Sequence, residues 1–293
     1  MSPFFTPNAT DSAYATRYHF SWYTHGRQPR IASPATPAAL VSAFDEVVQA
    51  RDYHVLEREI EPHAFRTLLS LKPYDSPAEV TRVVKGNLAS AARNRVGVSQ
   101  LWSRGWFVRS VGDVTNEIVR EYVANQYDHH QAAPICDPGA AIVASYHHPG
   151  DAKALRRSAH AVFEYNVHVV FVTHYRRELL DLQVAQSLVD YLRRVCQAKQ
   201  WIPWELNVVT NHAHAFIGLT PSDAPGDVAL SLMNNSEFYL QRRHGRAWRD
   251  EVAVTLWRPG YYVGTVGSAT TAQVKAYLRS QTCGEVEGEA PPR

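Results

Sequence analysis

Two histidines separated by one residue, His212-Ala213-His214, are the sharpest chemical feature of the 293-residue chain. On a β-strand, residues i and i+2 share a face. Both imidazoles would then project together, as suits two ligands of one divalent ion. Taken alone, an H-x-H strand fits packed or solvated imidazoles equally well. A second feature lies downstream, where Tyr277 and Gln281 stand four residues apart. On a helix they share one face. A phenol near a cation is biased toward phenolate, which makes it a nucleophile. A carboxamide oxygen suits a hard ion such as Mg²⁺ or Mn²⁺. The bland alternative for Tyr277 is a half-buried ring on an amphipathic helix.

The elements that would carry these residues occur twice. YHFSWYTHGRQPRI (18–31) parallels VHVVFVTHYRRELL (167–180), and YHVLERE (53–59) parallels WIPWELN (201–207). SLKPYDSPAEV (70–80) parallels GLTPSDAPGDV (218–228). LWSRGWFVRSVGDVTNEIVREYVANQ (101–126) parallels LWRPGYYVGTVGSATTAQVKAYLRSQ (256–281). The offset is 149 at His25/His174, 148 at Pro73/Pro221 and 155 at Tyr122/Tyr277, so about seven residues are added near 241–254. Four blocks in constant order mean two copies of one unit. The expected division is a flexible N-terminus (1–15), a first repeat (16–127), a solvated linker with several histidines (128–160), a second repeat (161–282) and a flexible C-terminus (283–293).

In the second repeat, apolar patterning predicts a strand over 161–173 and a helix over 183–200. Strands follow at 204–210 and 213–219, with a helix over 223–243. A strand at 261–266 and a helix at 270–281 complete it, with Gly267 as a flexible joint between them. The order β-α-β-β-α-β-α predicts an α+β fold: two tandem ferredoxin-like domains, each an antiparallel sheet with helices on one face plus a C-terminal tyrosine-bearing helix.

These motifs together resemble the one-tyrosine HUH single-strand DNA transposases, including the REP-associated tyrosine transposases. The resemblance rests on His212-Ala213-His214, GYYVGTVG (260–267), Tyr277-x-x-x-Gln281 and the opening VHVVFVTHYRRELL, and spans essentially all of the second repeat. It implies that His212, His214 and Gln281 hold Mg²⁺ or Mn²⁺. It also implies that Tyr277 attacks a DNA phosphate, giving a 5′-phosphotyrosine and a free 3′-OH.

The first repeat departs from this pattern. Aligning Pro73 with Pro221 sets Ala64 opposite His212 and Arg66 opposite His214, so the histidine pair is missing. A guanidinium has no free lone pair and cannot replace a ligand. Yet Tyr122-x-x-x-Gln126 is intact. The family forms dimers whose sites can be composite, which makes the tandem chain an expected pseudo-dimer. Either Tyr122 and Gln126 complete the His212/His214 site in trans, or Tyr277 and Gln281 do so in cis. Tyr122 could also be an inherited structural residue.

The formal charge balance, 30 Lys+Arg against 28 Asp+Glu, neither demands nor excludes nucleic acid. The basic residues are clustered, however, and Arg27, Arg176, Arg177, Arg242 and Arg243 are the expected contacts to phosphates of single-stranded or hairpin DNA. Cys136, Cys196 and Cys283 are too few and scattered for a disulfide framework or zinc ribbon. No apolar run reaches membrane-spanning length, and the N-terminus has no signal-peptide pattern. The expected location is therefore the cytoplasm, in association with a prokaryotic nucleoid, with no membrane partner. Three functions remain open at this point: a strand transferase, a domesticated non-catalytic protein that binds DNA hairpins, and a metal-independent scaffold.

Overall fold

The structure is a computed structural model that describes residues 4–113, 142–244 and 255–280, the side chains of 276–280 excepted. In the first repeat β2 (Arg17–Thr24), α1 (Ala35–Arg51), β3 (His54–Glu61), β4 (Ala64–Ser70), α2 (Pro77–Val96) and β5 (Trp102–Val111) follow in turn. In the second, β9 (Asn166–Thr173), α3 (Leu182–Ala198), β10 (Ile202–Val209), β11 (His212–Gly218), α4 (Pro225–His244) and β12 (Trp257–Val266) repeat that order, and α5 (Thr271–Ser280) follows. The neighbours run β3-β4-β2-β5 and β10-β11-β9-β12, all antiparallel. The fold is α+β, built on two sheets.

Local chemistry sets the helix ends. Ser76 caps α2 by accepting from the Glu79 amide at 3.4 Å, with Pro77 in the first turn, where its missing N–H costs nothing. Gly97 ends that helix with φ 72°, in the left-handed region. Asp181 caps α3, accepting from the Val184 amide at 2.9 Å.

Each repeat lends a strand to the other. β1 (Asp11–Ala15) runs parallel to β12, and β8 (Ala161–Glu164) runs parallel to β5. One buried residue, Thr16 or Tyr165, then carries the chain across to its own sheet. Two expectations are corrected here. The stretch 1–15, expected to be flexible, contains β1. The stretch 128–160, expected to be a solvated linker, contains β6 (Ile142–His147), which covers the edge of β10, and β7 (Arg156–Arg157), which pairs with β8. An unpaired edge strand is a liability, and both segments cover one. The partners of β1 and β6 are distant in sequence, so no local pattern marks these two strands.

The two repeats meet around a pseudo-twofold axis. The Ser110 hydroxyl donates to the Val266 carbonyl (2.6 Å) and accepts from the Asn166 amide (3.0 Å). Its counterpart Thr265 donates to the Val111 carbonyl (2.7 Å) and accepts from the Arg17 amide (2.8 Å). The paired PxDxP-type blocks act the same way: Ala78 N–H donates to the Pro221 carbonyl (2.8 Å) and Gly226 N–H to the Pro73 carbonyl (2.6 Å). Each repeat thus satisfies an orphan amide at the start of the other's helix. The apolar core is continuous across the two, with Tyr18, Phe20 and Leu40 in one cluster with Tyr165, Val169 and Leu188.

Gly267, expected as a flexible joint, is a point of close contact between the repeats. A Cβ at this position would lie 1.9 Å from the Ser110 carbonyl oxygen. Gly267→Ala is therefore expected to push the repeats apart and cost about 2–3 kcal/mol, as overpacking does. A thermal unfolding scan that leaves the midpoint unchanged would refute this.

Candidate metal and tyrosine site

β11 lies in the interior of its sheet, between β9 and β10. Ala213, Ala215 and Ile217 face the helices and the main core. His212 and His214 take the opposite face, 2% and 1% exposed, with ring centroids 4.9 Å apart. Each ring is oriented through Nδ1. That of His212 lies 2.6 Å from Asn211 Oδ1. A carboxamide oxygen only accepts, so this nitrogen carries a proton, and in the neutral ring Nε2 is the atom with the lone pair. Nδ1 of His214 lies 2.9 Å from Nε2 of His168, and those two rings stack with centroids 5.2 Å apart. Metal-binding imidazoles are commonly held in this way through their second nitrogen.

Burial also selects the charge state. It pushes His214 well below the usual imidazole range, aided by His168 and His212, and brings His168 down to about 4. Neutral imidazole is the ligating form. Donor type, shared face and fixed ring orientation therefore fit two ligands of one divalent ion. Among the described residues no group of three or more His, Cys, Asp or Glu gathers as a metal cluster. A complete site needs a donor of another kind, and Gln126 and Gln281 both lie outside the described residues.

The pairing registers reproduce the alignment of the repeats. His212 and His214 stand opposite Val172 and Val170, while Ala64 and Arg66 stand opposite Tyr23 and Ser21. Arg66 is buried and pairs with Glu61 and, at 3.5 Å, with Glu59. An internal ion network thus stands where the second repeat has its imidazoles. His63 lies in the turn between β3 and β4 and pairs with Glu61 at 3.3 Å. His19, the counterpart of His168, is brought down to about 3 by burial, with the Arg109 and Arg66 charges adding to the effect.

That shift has a pH consequence. The group stays neutral in the fold and takes a proton once unfolded, at about 6.5. Its contribution is intact above pH 6.5 and is lost as pH falls toward 3. Stability should drop by about 2–3 kcal/mol between pH 6.5 and 4.5 through this residue. Urea titrations at both pH values check it. An equal slope in a His19→Leu variant would contradict it.

α5, which carries Tyr277, packs against the first repeat. Val274 is buried with Leu68 and Val111, and α5 lies on β3 and β4. This is the sheet face that also holds Arg66, since residues 66 and 68 share a face. The start of the helix is pinned there. Glu164 accepts from the Ser268 amide and hydroxyl, both at 2.6 Å, and also holds Arg109 at 2.9 Å. The Thr271 amide donates to the Gly112 carbonyl at 3.0 Å. Thr270 and Gln273 form a reciprocal capping box. On the second repeat the equivalent apolar residues Trp204, Phe216 and Val266 are covered by Ala152. The Tyr277 side chain, Tyr122, Gln126 and Gln281 lie outside the described residues.

The basic residues fall into two groups. Arg27 and Arg176 occupy equivalent tight turns after β2 and β9, and Arg177 follows Arg176. The second turn is tied to the histidine strand, because the Thr173 amide donates to the Asn211 carbonyl at 2.9 Å. Arg242 and Arg243 are exposed in the last turn of α4, where cations complement the helix dipole. Glu237, on the same helix, accepts from the Leu256 and Trp257 amides, and Trp257 pairs with Thr173. The end of α4 therefore lies toward the same end of the sheet.

Sequence reasoning missed His168 and Asn211. Alternation in VHVVFVTH could have found the first. His168 shares a face with Val170 and Val172, which are opposite the two histidines, and diagonal neighbours are within reach of a ring.

The sequence model of the family described as "Transposase IS200 like" matches the chain twice, over residues 12–126 and 161–281. The ISDra2 transposase TnpA of Deinococcus radiodurans is 27% identical over 120 residues, 41% of this chain and 86% of that protein. The transposase for insertion sequence element IS200 of Salmonella typhimurium is 27% identical over 140 residues, 48% of this chain and 90% of the relative. A solved REP-associated tyrosine transposase bound to a REP hairpin aligns over 43% of this chain and 70% of its own, at 15% identity and a TM-score of 0.30.

Proposed function

Because the chain belongs to the IS200-like transposase family, which its two repeats match separately, we propose that it cuts and rejoins single-stranded hairpin DNA through a 5′-phosphotyrosine link. In this reading each repeat is a ferredoxin-like unit and the chain is a built-in pseudo-dimer with one working site. The observation that carries it is the His212/His214 pair, buried and oriented by Asn211 and His168, in the second repeat alone.

His212 and His214 would hold Mg²⁺ or Mn²⁺ with a carboxamide oxygen from a tyrosine helix. The ion, when bound, polarises the scissile phosphate and offsets charge developing on it. The tyrosine oxygen attacks phosphorus. The Tyr–O–P bond forms, the P–O3′ bond breaks, and the 3′ oxygen leaves as a hydroxyl after taking a proton. Attack by a second 3′-OH reverses the exchange and reseals the strand, so no external energy source is needed. Arg27, Arg176, Arg177, Arg242 and Arg243 hold the phosphate backbone.

We assign the nucleophile in trans. α5 is docked on the opposite repeat; in this reading Tyr122 and Gln126 serve His212 and His214 by the reciprocal exchange. Docking at the equivalent place requires the segment around Ala152 to make room. Tyr277 with Gln281 is the cis alternative. The ion network at Arg66 favours a second reading, a domesticated protein that binds hairpins without cutting them.

The test incubates the full chain with a hairpin oligonucleotide bearing single-stranded flanks and Mn²⁺. A covalent protein–DNA band on a denaturing gel is expected. A retarded but uncut oligonucleotide favours the second reading, and absence of binding overturns both.

A further inference from the structure

The tight turn that follows the central strand is built alike in both repeats. In the first, Thr24 Oγ1 donates to the Gln28 carbonyl (2.5 Å), and the His25 amide donates to the Leu101 carbonyl (2.9 Å). In the second, Thr173 Oγ1 donates to the Arg177 carbonyl (2.8 Å), and the His174 amide to the Leu256 carbonyl (2.8 Å). Both turns need two successive residues in the left-handed region. The first of these is Gly26 in one repeat (φ 62°) and Tyr175 in the other (φ 53°). Glycine enters that region without penalty, whereas a Cβ residue, and a bulky one above all, is strained there. The fold therefore accepts glycine at this position, yet the second repeat carries the less stable choice.

The tyrosine gains nothing by burial. It is 86% exposed, the most exposed large apolar side chain described. Arg177 lies over its ring at 5.7 Å, and Arg176 is its neighbour in the turn. The turn is fastened to the histidine-bearing strand, since the Thr173 amide donates to the Asn211 carbonyl at 2.9 Å. Asn211 is the residue that orients His212. Backbone strain held in place by several hydrogen bonds beside a reactive site is a mark of function.

We infer that Tyr175 is a stacking platform for an unpaired base of the DNA strand, with Arg176 and Arg177 taking the adjoining phosphates. A flat exposed ring flanked by cations matches single-stranded nucleic acid, whose bases offer π faces and whose backbone offers charge. A fully paired duplex offers no base face to such a ring. The inference rests on the proposed DNA-cutting function and adds which side chain reads the single-stranded flank.

The test uses the full chain carrying His212→Ala and His214→Ala, so that binding is read without cutting. Hairpin oligonucleotides carry 2-aminopurine at successive positions of the single-stranded flank. One position is expected to be quenched on binding. Tyr175→Gly should remove that quenching and weaken affinity by about tenfold or more, while raising the thermal midpoint by relieving strain. Tyr175→Asn, which tolerates the left-handed turn without a stacking face, should weaken binding alike, and Tyr175→Phe should preserve both signals. Unchanged affinity and quenching in Tyr175→Gly and Tyr175→Asn would overturn this inference and leave the proposed function standing. Self-association abolished by Tyr175→Gly would assign the ring to a second copy of the chain and overturn it too. A parent chain that binds no oligonucleotide overturns both.

Discussion

His212→Ala or His214→Ala is expected to lower DNA cleavage by about 10³-fold or more while leaving hairpin affinity within a few-fold. The size follows from removing a preorganised electrostatic partner of the developing phosphate charge. The selectivity follows because affinity comes mostly from phosphate and base contacts elsewhere. Both rings are buried, so far-ultraviolet circular dichroism must accompany the assay to show that the variants fold. Chelation of the wild-type chain should reproduce the loss, and Mn²⁺ should restore it. Arg66→Ala supplies the contrast. It removes a charge paired to Glu59 and Glu61, with no lone pair to offer a cation, so metal binding should be unaffected. Full metal-dependent cleavage by a His212→Ala/His214→Ala double variant would sink the metal assignment.

The second large effect separates the two tyrosines. Tyr122→Phe is expected to abolish the covalent adduct, and Tyr277→Phe to retain it. Phe keeps the ring and removes only the attacking oxygen. The argument is geometric. α5 is anchored on the first repeat by Val274, by the Glu164 contacts to Ser268 and by the Thr271–Gly112 hydrogen bond. Those anchors hold the Tyr277 helix on the face that carries Arg66 in place of the imidazole pair. Retention of Tyr122 and Gln126 beside a lost histidine pair is then explained by service to the other repeat. Loss of adduct in Tyr277→Phe alone would reverse the assignment. Loss in both would mean that the helices act at successive steps, with Gly112 and Gly267 as hinges.

Much of this was legible in the sequence for identifiable reasons. The duplication showed because strands, capped helices and the PxDxP-type blocks face the same constraint twice. Those blocks persist because each presents a carbonyl to the other repeat's helix. The histidine pair showed because a two-residue spacing has one meaning on a strand. The strand exchange did not show. β1 is five residues, Asp-Ser-Ala-Tyr-Ala, with no apolar run, and its partner β12 lies some 250 positions away. The strand expected over 161–173 breaks at Tyr165 because the chain changes sheets there, a tertiary event without a local signal. His168 escaped notice because one histidine in an apolar strand reads as core until its cross-strand neighbours are known. The ion network at Arg66 was half visible: the loss of ligands could be read, whereas the partners on β3 could not.

The central claim is one metal site in the second repeat, served by the tyrosine helix of the first. The most direct measurement digests the trapped protein–DNA adduct with nuclease and protease and locates the nucleotide-bearing peptide by mass spectrometry. The account predicts a residual 5′-phosphonucleotide on Tyr122. A nucleotide on Tyr277 alone, or a chain that binds the hairpin tightly with Mn²⁺ and yields no adduct, would contradict it.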